Sequence, residues 1–194
     1  MEAIDKVRDT STSHERCSII GVMGRDAGYL ALWCGIANGA ERILMREEHD
    51  FDKRALIEDI MKDKKRGKKN YIIINAEGIG DSINMAKRIE EATGIETRAT
   101  ILGHMQRGGV PDAYDRILTT RLGTGAARLI KHKQYGNMVA IRNNEIVAVP
   151  LSEVAGKLKT VPVDNDLVQA ARDIGISFGD ESPEKDKKKD KDKK

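Results

Sequence analysis

Only 2 cysteines occur among the 194 residues. Cys17 and Cys34 make neither a disulfide framework nor a zinc site, and a reducing cytoplasm is the expected compartment. No apolar run approaches the roughly 18 residues that a membrane span needs. The opening Met-Glu-Ala-Ile-Asp-Lys has no charged-then-apolar signal pattern, so secretion is not expected. No cluster of His, Cys, Asp or Glu has metal-ligand spacing. A P-loop and a dinucleotide fingerprint are both missing, because the Gly24–Gly28 spacing is the wrong pattern. There is no internal repeat. Charge of one sign is scarce too. The formal net charge is +3, but residues 181–194 hold seven lysines and five acids. The remainder carries 27 basic and 26 acidic residues. Nucleic-acid binding wants a basic face on the folded part, so neither nucleic acid nor membrane is an expected partner.

What is present suffices for one ordinary domain, or one and part of another. Hydrophobic residues make up 39% of the chain. Ile4 and Val7 share a helical face, so residues 2–9 read as the end of a helix, uncapped at Met1. Residues 10–15 read as a loop. Cys17 to Val22, Arg42 to Met45, Tyr71 to Ala76 and Glu96 to Leu102 read as strands. The third of these is the continuous apolar type that is buried on both faces of a parallel sheet. Helices are expected over 27–37, 51–65, 82–93, 112–131 (interrupted by Gly123 and Gly125) and 164–173. Residues 138–149 read as strand, with Asn143-Asn144 as a hairpin turn. From Glu181 onward a Lys/Asp run without aliphatic or aromatic residues is expected to be disordered. Alternating strands and helices give an α/β class with a mostly parallel sheet.

Ligands of open α/β sheets bind at the carboxyl ends of the strands. Three glycine-bearing segments are expected there: Met23 to Gly28, Glu77 to Asp81, and Gly103 to Gly109. Arg16, Arg25, Arg98 and Arg107 fall at strand ends or adjoining loops. The expectation is that they converge at one sheet edge, where guanidinium forks suit phosphate. Glu77 at the same edge suits sugar hydroxyls. A phosphosugar or similar phosphorylated ligand follows; surface ion pairing of the arginines is the bland alternative. His104, beside Gln106 and Arg107, is expected to hydrogen-bond. His14, His49 and His132 are expected at the solvated surface, Trp33 and Cys34 in the core. Lys62, Lys64, Lys65, Arg66, Lys68 and Lys69 form a basic cluster: either a solvated helix end or a second anion pocket.

Four stretches together resemble the C-terminal half of bacterial-type 6-phosphofructokinases. They are Arg-Asp-Thr-Ser-Thr-Ser-His-Glu-Arg (8–16), Val-Met-Gly-Arg (22–25), Glu-Thr-Arg-Ala-Thr-Ile-Leu-Gly-His-Met-Gln-Arg-Gly-Gly (96–109) and Tyr-Asp-Arg-Ile-Leu (114–118). The third is the most specific. The resemblance runs from about residue 1 to about residue 178.

It implies a Rossmann-like three-layer sandwich: a small sugar-phosphate domain (1–105), part of a larger ATP domain (106–160), a returning C-terminal helix (161–180) and the tail (181–194). It implies transfer of the terminal phosphate of ATP to fructose 6-phosphate with Mg2+, a cytoplasmic step of glycolysis, in a homotetramer. By the same resemblance Met23, Gly24, Arg25, Glu77, His104, Met105, Gln106 and Arg107 bind the sugar phosphate, and Arg25 also supports the transfer. Arg16 and Arg98 would reach a neighbouring subunit's site. Arg8, Gly39, Ala40, Glu41, Arg66, Lys68, Lys69 and Asn70 would form an effector site for ADP or phosphoenolpyruvate, with Glu41 touching effector-bound Mg2+. Arg66 stands where Lys is usual, Asn70 where His can occur, and Gly21 where Glu often precedes the Val-Met-Gly-Arg segment. The family's ATP loop and paired aspartates would precede the opening helix, so the chain by itself is expected to be inactive. A pyrophosphate-dependent relative and a non-catalytic sugar-phosphate-binding or interaction module are the alternatives.

Overall fold

Strand β1 (Cys17–Val22) has six residues, all of them buried. It bonds in parallel to β3 (Tyr71–Ala76) on one side and to β4 (Thr97–Ile101) on the other. Strand β2 (Arg42–Leu44) pairs with β3, giving the order β2-β3-β1-β4. The computed structural model describes residues 1–47, 52–162 and 164–180. All four strands of this sheet are parallel.

Successive side chains of a strand point to opposite faces, and two cores result. Ile20, Val22, Ile43, Ile72 and Ile74 face one core. It is closed by Ile4 of α1 (Glu2–His14), Leu32 of α2 (Tyr29–Ala37), Val168 of α7 (Asp166–Asp173) and Phe178. Cys17, Ile19, Leu44, Tyr71 and Ile73 face the other. It is closed by Leu56 and Ile60 of α3 (Lys53–Lys65), and by Met85 and Ile89 of α4 (Ser82–Thr93). The expected α/β class with a mostly parallel sheet and flanking helices is thus what the structure has. Helix starts follow their caps. Asp52 accepts from the Arg54 N–H, Asp81 from Ile83 and Asn84, and Asn165 from Leu167. At α1 the cap position is Met1, with no side-chain hydrogen bond.

The chain divides into two compact units. The first comprises Met1–Gln106 and the chain from Thr160 onward; the second is Arg107–Lys159. Within the second, α5 (Ala113–Lys131) lies against an antiparallel hairpin of β5 (Asn137–Arg142) and β6 (Glu145–Pro150). Its turn residues Asn143 and Asn144 both have positive φ, 50° and 64°, as a twist-matched two-residue turn requires. The short helix α6 (Leu151–Val154) follows. Tyr114, Ile117, Ile130 and Tyr135 of this unit are each more than 60% exposed.

Three local expectations are corrected. Residues 10–14 are helical rather than loop: the hydroxyls of Thr10, Thr12 and Ser13 bond back to carbonyls three or four residues earlier, and α1 ends at Glu15 with φ 51°. Gly123 and Gly125 do not interrupt α5. Gly125 is where Val139 and Ile146 pack against the helix: a Cβ there would meet Ile146 at 2.8 Å. Trp33 is not a core residue; it is 64% exposed, on the outer side of α2 with Leu30, while Ala31, Leu32 and Gly35 face inward. The expectation of a disordered tail falls on 181–194, outside the described residues, as does that of a surface His49.

Two outcomes follow from this packing. A Cβ on Gly35 would sit 2.4 Å from the side chain of Ile43, which is fully buried. Helix propensity alone would make Gly35→Ala stabilising by about 1 kcal/mol, but overpacking costs roughly 1–3 kcal/mol. The urea midpoint should therefore fall, and Ile43→Val in the same chain should restore part of it; a rise would contradict the close approach. Burial also pushes the Cys17 thiol up to about 12. Its proton is lost from the unfolded chain near pH ~8.5 but kept in the fold. This contribution to stability is whole below that pH and declines as pH rises towards the folded value. A thiol reagent at pH 8 should label Cys34, which is only partly buried, well before Cys17; equal rates would count against it.

Candidate functional site

Three turns meet at the carboxyl edge of the sheet. Met23 to Ala27 leave β1, Glu77–Ile79 form a single 3-10 turn after β3, and Gly103–Arg107 form another after β4. Missing side chains let the first two close up. A Cβ on Gly78 would lie 2.6 Å from the Arg25 carbonyl oxygen, and one on Gly24, whose φ is 143°, would lie 2.4 Å from that of Ala27. Arg25 itself sits at φ 53°, a left-handed conformation that costs an ordinary residue about 1 kcal/mol. Its N–H donates to the Glu77 carboxylate, which offsets that cost. Gln106 ties in the third turn. Its Oε1 accepts the Met23 N–H at 3.1 Å, and its Nε2 donates to the Gly103 carbonyl at 3.1 Å.

The result is a cleft of about 170 Å³ lined by Met23, Glu77, Asp81, Ser82 and Gln106, among others. Typical small-molecule sites hold ~300–1,000 Å³, so this cleft is small for one. Arg25 and His104, on the turns beside the cleft, are exposed, and neither side chain has a partner among the described residues. Met105 is 82% exposed. Arg107 closes the last turn and is the first residue of the second unit. Chemically, the edge offers a guanidinium, an imidazole and a carboxylate with one oxygen already engaged.

The expectation of four arginines at one edge is overturned. Arg16 precedes β1 and Arg98 is the second residue of β4, so both lie at the amino ends of the strands. They share one carboxylate: Arg16 Nε donates to Glu96 at 2.7 Å, and Arg98 Nη2 lies 2.7 Å from its other oxygen. Hydrogen bonds from Arg16 and then Arg98 hold the Glu96 carboxyl below the usual range. The six residues of β1 put about 20 Å between this pair and the cleft.

A second cluster forms where α1 crosses the end of α2. The Arg8 guanidinium donates to the Asn38 carbonyl and, at 3.1 Å, to that of Gly39. Lys68 pairs with Glu41 at 2.9 Å, Lys69 with Glu15 at 2.7 Å, and Asn70 donates to Thr12 at 3.2 Å. Ala40 is buried beside them. Arg66 is exposed, 3.9 Å from Asp63. The structure thus gathers Arg8, the 39–41 corner and the 66–70 loop that the sequence scatters. The other Glu41 oxygen accepts the Ile72 N–H at 2.6 Å. Each Glu41 oxygen thus carries one contact, and a metal there would share or displace it. Among the described residues no group of three His, Cys, Asp or Glu is placed to hold one, so the residues present do not fit Mg2+ by themselves.

Sequence reasoning missed Glu47, which is 93% buried by its 7% exposure. Its Oε1 accepts the N–H of Gly28 at 2.8 Å and of Val161 at 3.0 Å, while Oε2 has no partner among the described residues. It fixes the start of α2 directly after the Arg25 turn. Nothing in its neighbourhood, Met-Arg-Glu-Glu, signals burial.

A model of the phosphofructokinase family matches residues 1–130. An ATP-dependent 6-phosphofructokinase of Bacillus mycoides is 47% identical over 176 residues, which cover 91% of this chain and 54% of that protein. One of Spirochaeta thermophila is 43% identical over 202 residues, covering 92% and 55%. The chain spans about half the length of the curated relatives it matches. Among solved structures, phosphofructokinase from Saccharomyces cerevisiae superimposes with a TM-score of 0.68 at 35% identity, over 78% of this chain and 22% of that one. A pyrophosphate-dependent phosphofructokinase from Nitrosospira multiformis gives 0.70 at 20% identity, over 91% and 52%, a likeness of fold alone.

The role of Gln106 is testable without any ligand. Gln106→Leu leaves the Met23 N–H without its acceptor, at a cost of roughly 0.5–1.5 kcal/mol. Amide exchange at Met23 and Gly24 should speed up while exchange in β1 stays slow. Unchanged exchange at Met23 would show that the amide does not hold the turn.

Proposed function

Because the chain belongs to the phosphofructokinase family, we propose that it is the acceptor half of an ATP-dependent 6-phosphofructokinase and seats fructose 6-phosphate at the carboxyl edge of its sheet. The observation that carries this reading is the meeting of Met23, Glu77 and Gln106 around one cleft, with the Arg25 N–H held by the Glu77 carboxylate. Glu77 keeps one carboxylate oxygen for sugar hydroxyls. Arg25 and Arg107 supply guanidinium charge for the phosphate, and His104 and Met105 flank the sugar. Gln106 acts through the loop, by holding Met23, as well as at the sugar itself. Arg25 also lends its charge to the transfer.

ATP with Mg2+ supplies the phosphoryl group, and most of its ligands are expected outside this chain, which spans about half the length of its relatives. Phosphoryl transfer is mostly positioning and electrostatics. The share of this chain is to hold the sugar hydroxyl still against a donor presented by other residues, so by itself the chain binds but does not turn over. The names of the 43–47% identical relatives favour ATP over pyrophosphate as donor.

Arg16 and Arg98 lie too far from the cleft to serve it within one chain. That favours a homotetramer in which the pair completes a neighbouring subunit's site. The second cluster is the effector site for ADP or phosphoenolpyruvate. Phosphate oxygens would take over Lys68 and Lys69 from Glu41 and Glu15.

Calorimetry tests the sugar-phosphate reading. Fructose 6-phosphate should bind far more tightly than fructose. Charge-assisted contacts are worth roughly 1.5–3 kcal/mol, so Arg25→Ala and Arg107→Ala should each weaken binding about ten- to a hundredfold. Equal affinity for the two sugars would overturn the phosphate pocket, and formation of fructose 1,6-bisphosphate by the chain alone would overturn the half-site.

A further inference from the structure

A second cleft, between α3 and α4, belongs to none of the machinery above. Its apolar walls are Leu56, Ile57, Ile79, Met85 and Ile89, with Asp81 and Asn84 beside them, and it holds about 180 Å³. An apolar cavity of ~150 Å³ takes one benzene ring, so this one has room for a single ring or a short branched chain and little more.

The mouth is charged. Lys53 and Arg88 line it, and Arg54 lies just outside on the wider groove into which Lys53, Ile57 and Arg88 continue. None of these three cations has an ion pair among the described residues. Among the described residues, the carboxylates at the starts of these two helices are engaged as caps. Asp52 caps α3 by accepting the Arg54 N–H at 2.8 Å, and Asp81 caps α4 by accepting those of Ile83 and Asn84 at 2.9 and 3.1 Å. Glu91 sits only on the outer groove. Helices α3 and α4 both begin near this mouth, and their dipoles add to the positive potential.

We propose that the α3–α4 cleft binds a small apolar carboxylate, with its ring or branched chain against Met85 and Ile89 and its carboxylate between Lys53 and Arg88. The ligand must be both apolar and anionic. A sugar phosphate would leave its hydroxyls unpaired against the isoleucines, and a neutral hydrocarbon would leave the cations idle. The assignment stands independently of the sugar-phosphate reading. The two clefts nevertheless share a wall: Asp81 lines both, and Ile79 belongs to the turn that carries Glu77. An occupant of the α3–α4 cleft therefore presses on the turn that shapes the other.

The test uses the full chain with 13C-labelled methionine methyl groups. Met85 is one of seven methionines, and its signal is identified by its loss in Met85→Leu. Phenylacetate is titrated, with phenylacetamide as the uncharged control. The Met85 signal should shift saturably with phenylacetate and bind the amide at least tenfold more weakly. The double variant Lys53→Ala/Arg88→Ala should lower phenylacetate affinity at least tenfold; both positions are exposed on helices, where alanine is well tolerated. No saturable Met85 shift up to the solubility limit, equal affinity for the amide, or unchanged affinity in the double variant would each overturn the proposal.

Discussion

The first unit depends on β1 being bonded along both edges and covered on both faces. A strand in that position has no side exposed to water, so each of its six residues must be buried, and the chain spends Cys17, Ser18, Ile19, Ile20, Gly21 and Val22 on it. Ser18 is the one polar side chain, and it finds the hydroxyl of Ser11 on α1 at 2.5 Å. That contact ties the helix to the strand where an unpaired hydroxyl would cost stability. The end of β1 then fixes where the Met23 to Ala27 turn starts, and its register with β3 and β4 brings Val22 level with Ala76, and Gly21 with Ile101. The site is where these three strands stop together.

At that edge the geometry is set by what is left out. A side chain at residue 78 would drive the Arg25 turn away from β3, and the Glu77 carboxylate would lose the Arg25 N–H. The carboxylate is thereby aimed by the backbone it binds. Glu47 does the same from beneath, joining the start of α2 to Val161 through one oxygen. Support of this kind holds exposed groups such as Arg25 and His104 on a rigid base, which suits binding residues carried on loops.

Much of this was legible in the sequence. Continuous apolar runs gave β1 and β3, and glycines marked the turns. That Met23, Glu77 and Gln106 lie on turns at one sheet edge follows from the reading of those turns. The rest was hidden for physical reasons. Strand direction was read correctly, but Arg16 and Arg98 stand before and early in their strands, so a parallel sheet carries them to the opposite end. Helix α2 is apolar all round, and such a helix has no periodicity to say which side faces inward; Trp33 was misplaced for that reason. Thr10 to Ser13 are loop formers by composition, and only their bonds to earlier carbonyls keep them helical. Glu47 is a carboxylate whose burial is created by a segment more than a hundred residues later.

The first unit is discontinuous: 107–159 intervenes between its two parts. During synthesis the ribosome releases α1, α2 and the whole four-stranded sheet well before Val161, Val168, Ile176 and Phe178, which finish one of the two cores. Until then that core lacks part of its cover, although Gly35 of α2 already lies against Ile43 and Ile74. The side of the sheet closed by α3 and α4 has no such wait, since every buried residue of that core is made by Ile95. The two layers of one sheet therefore mature at different times, the local one first. A nascent chain stalled before residue 160 would carry an ordered α3–α4 face and a sticky opposite one.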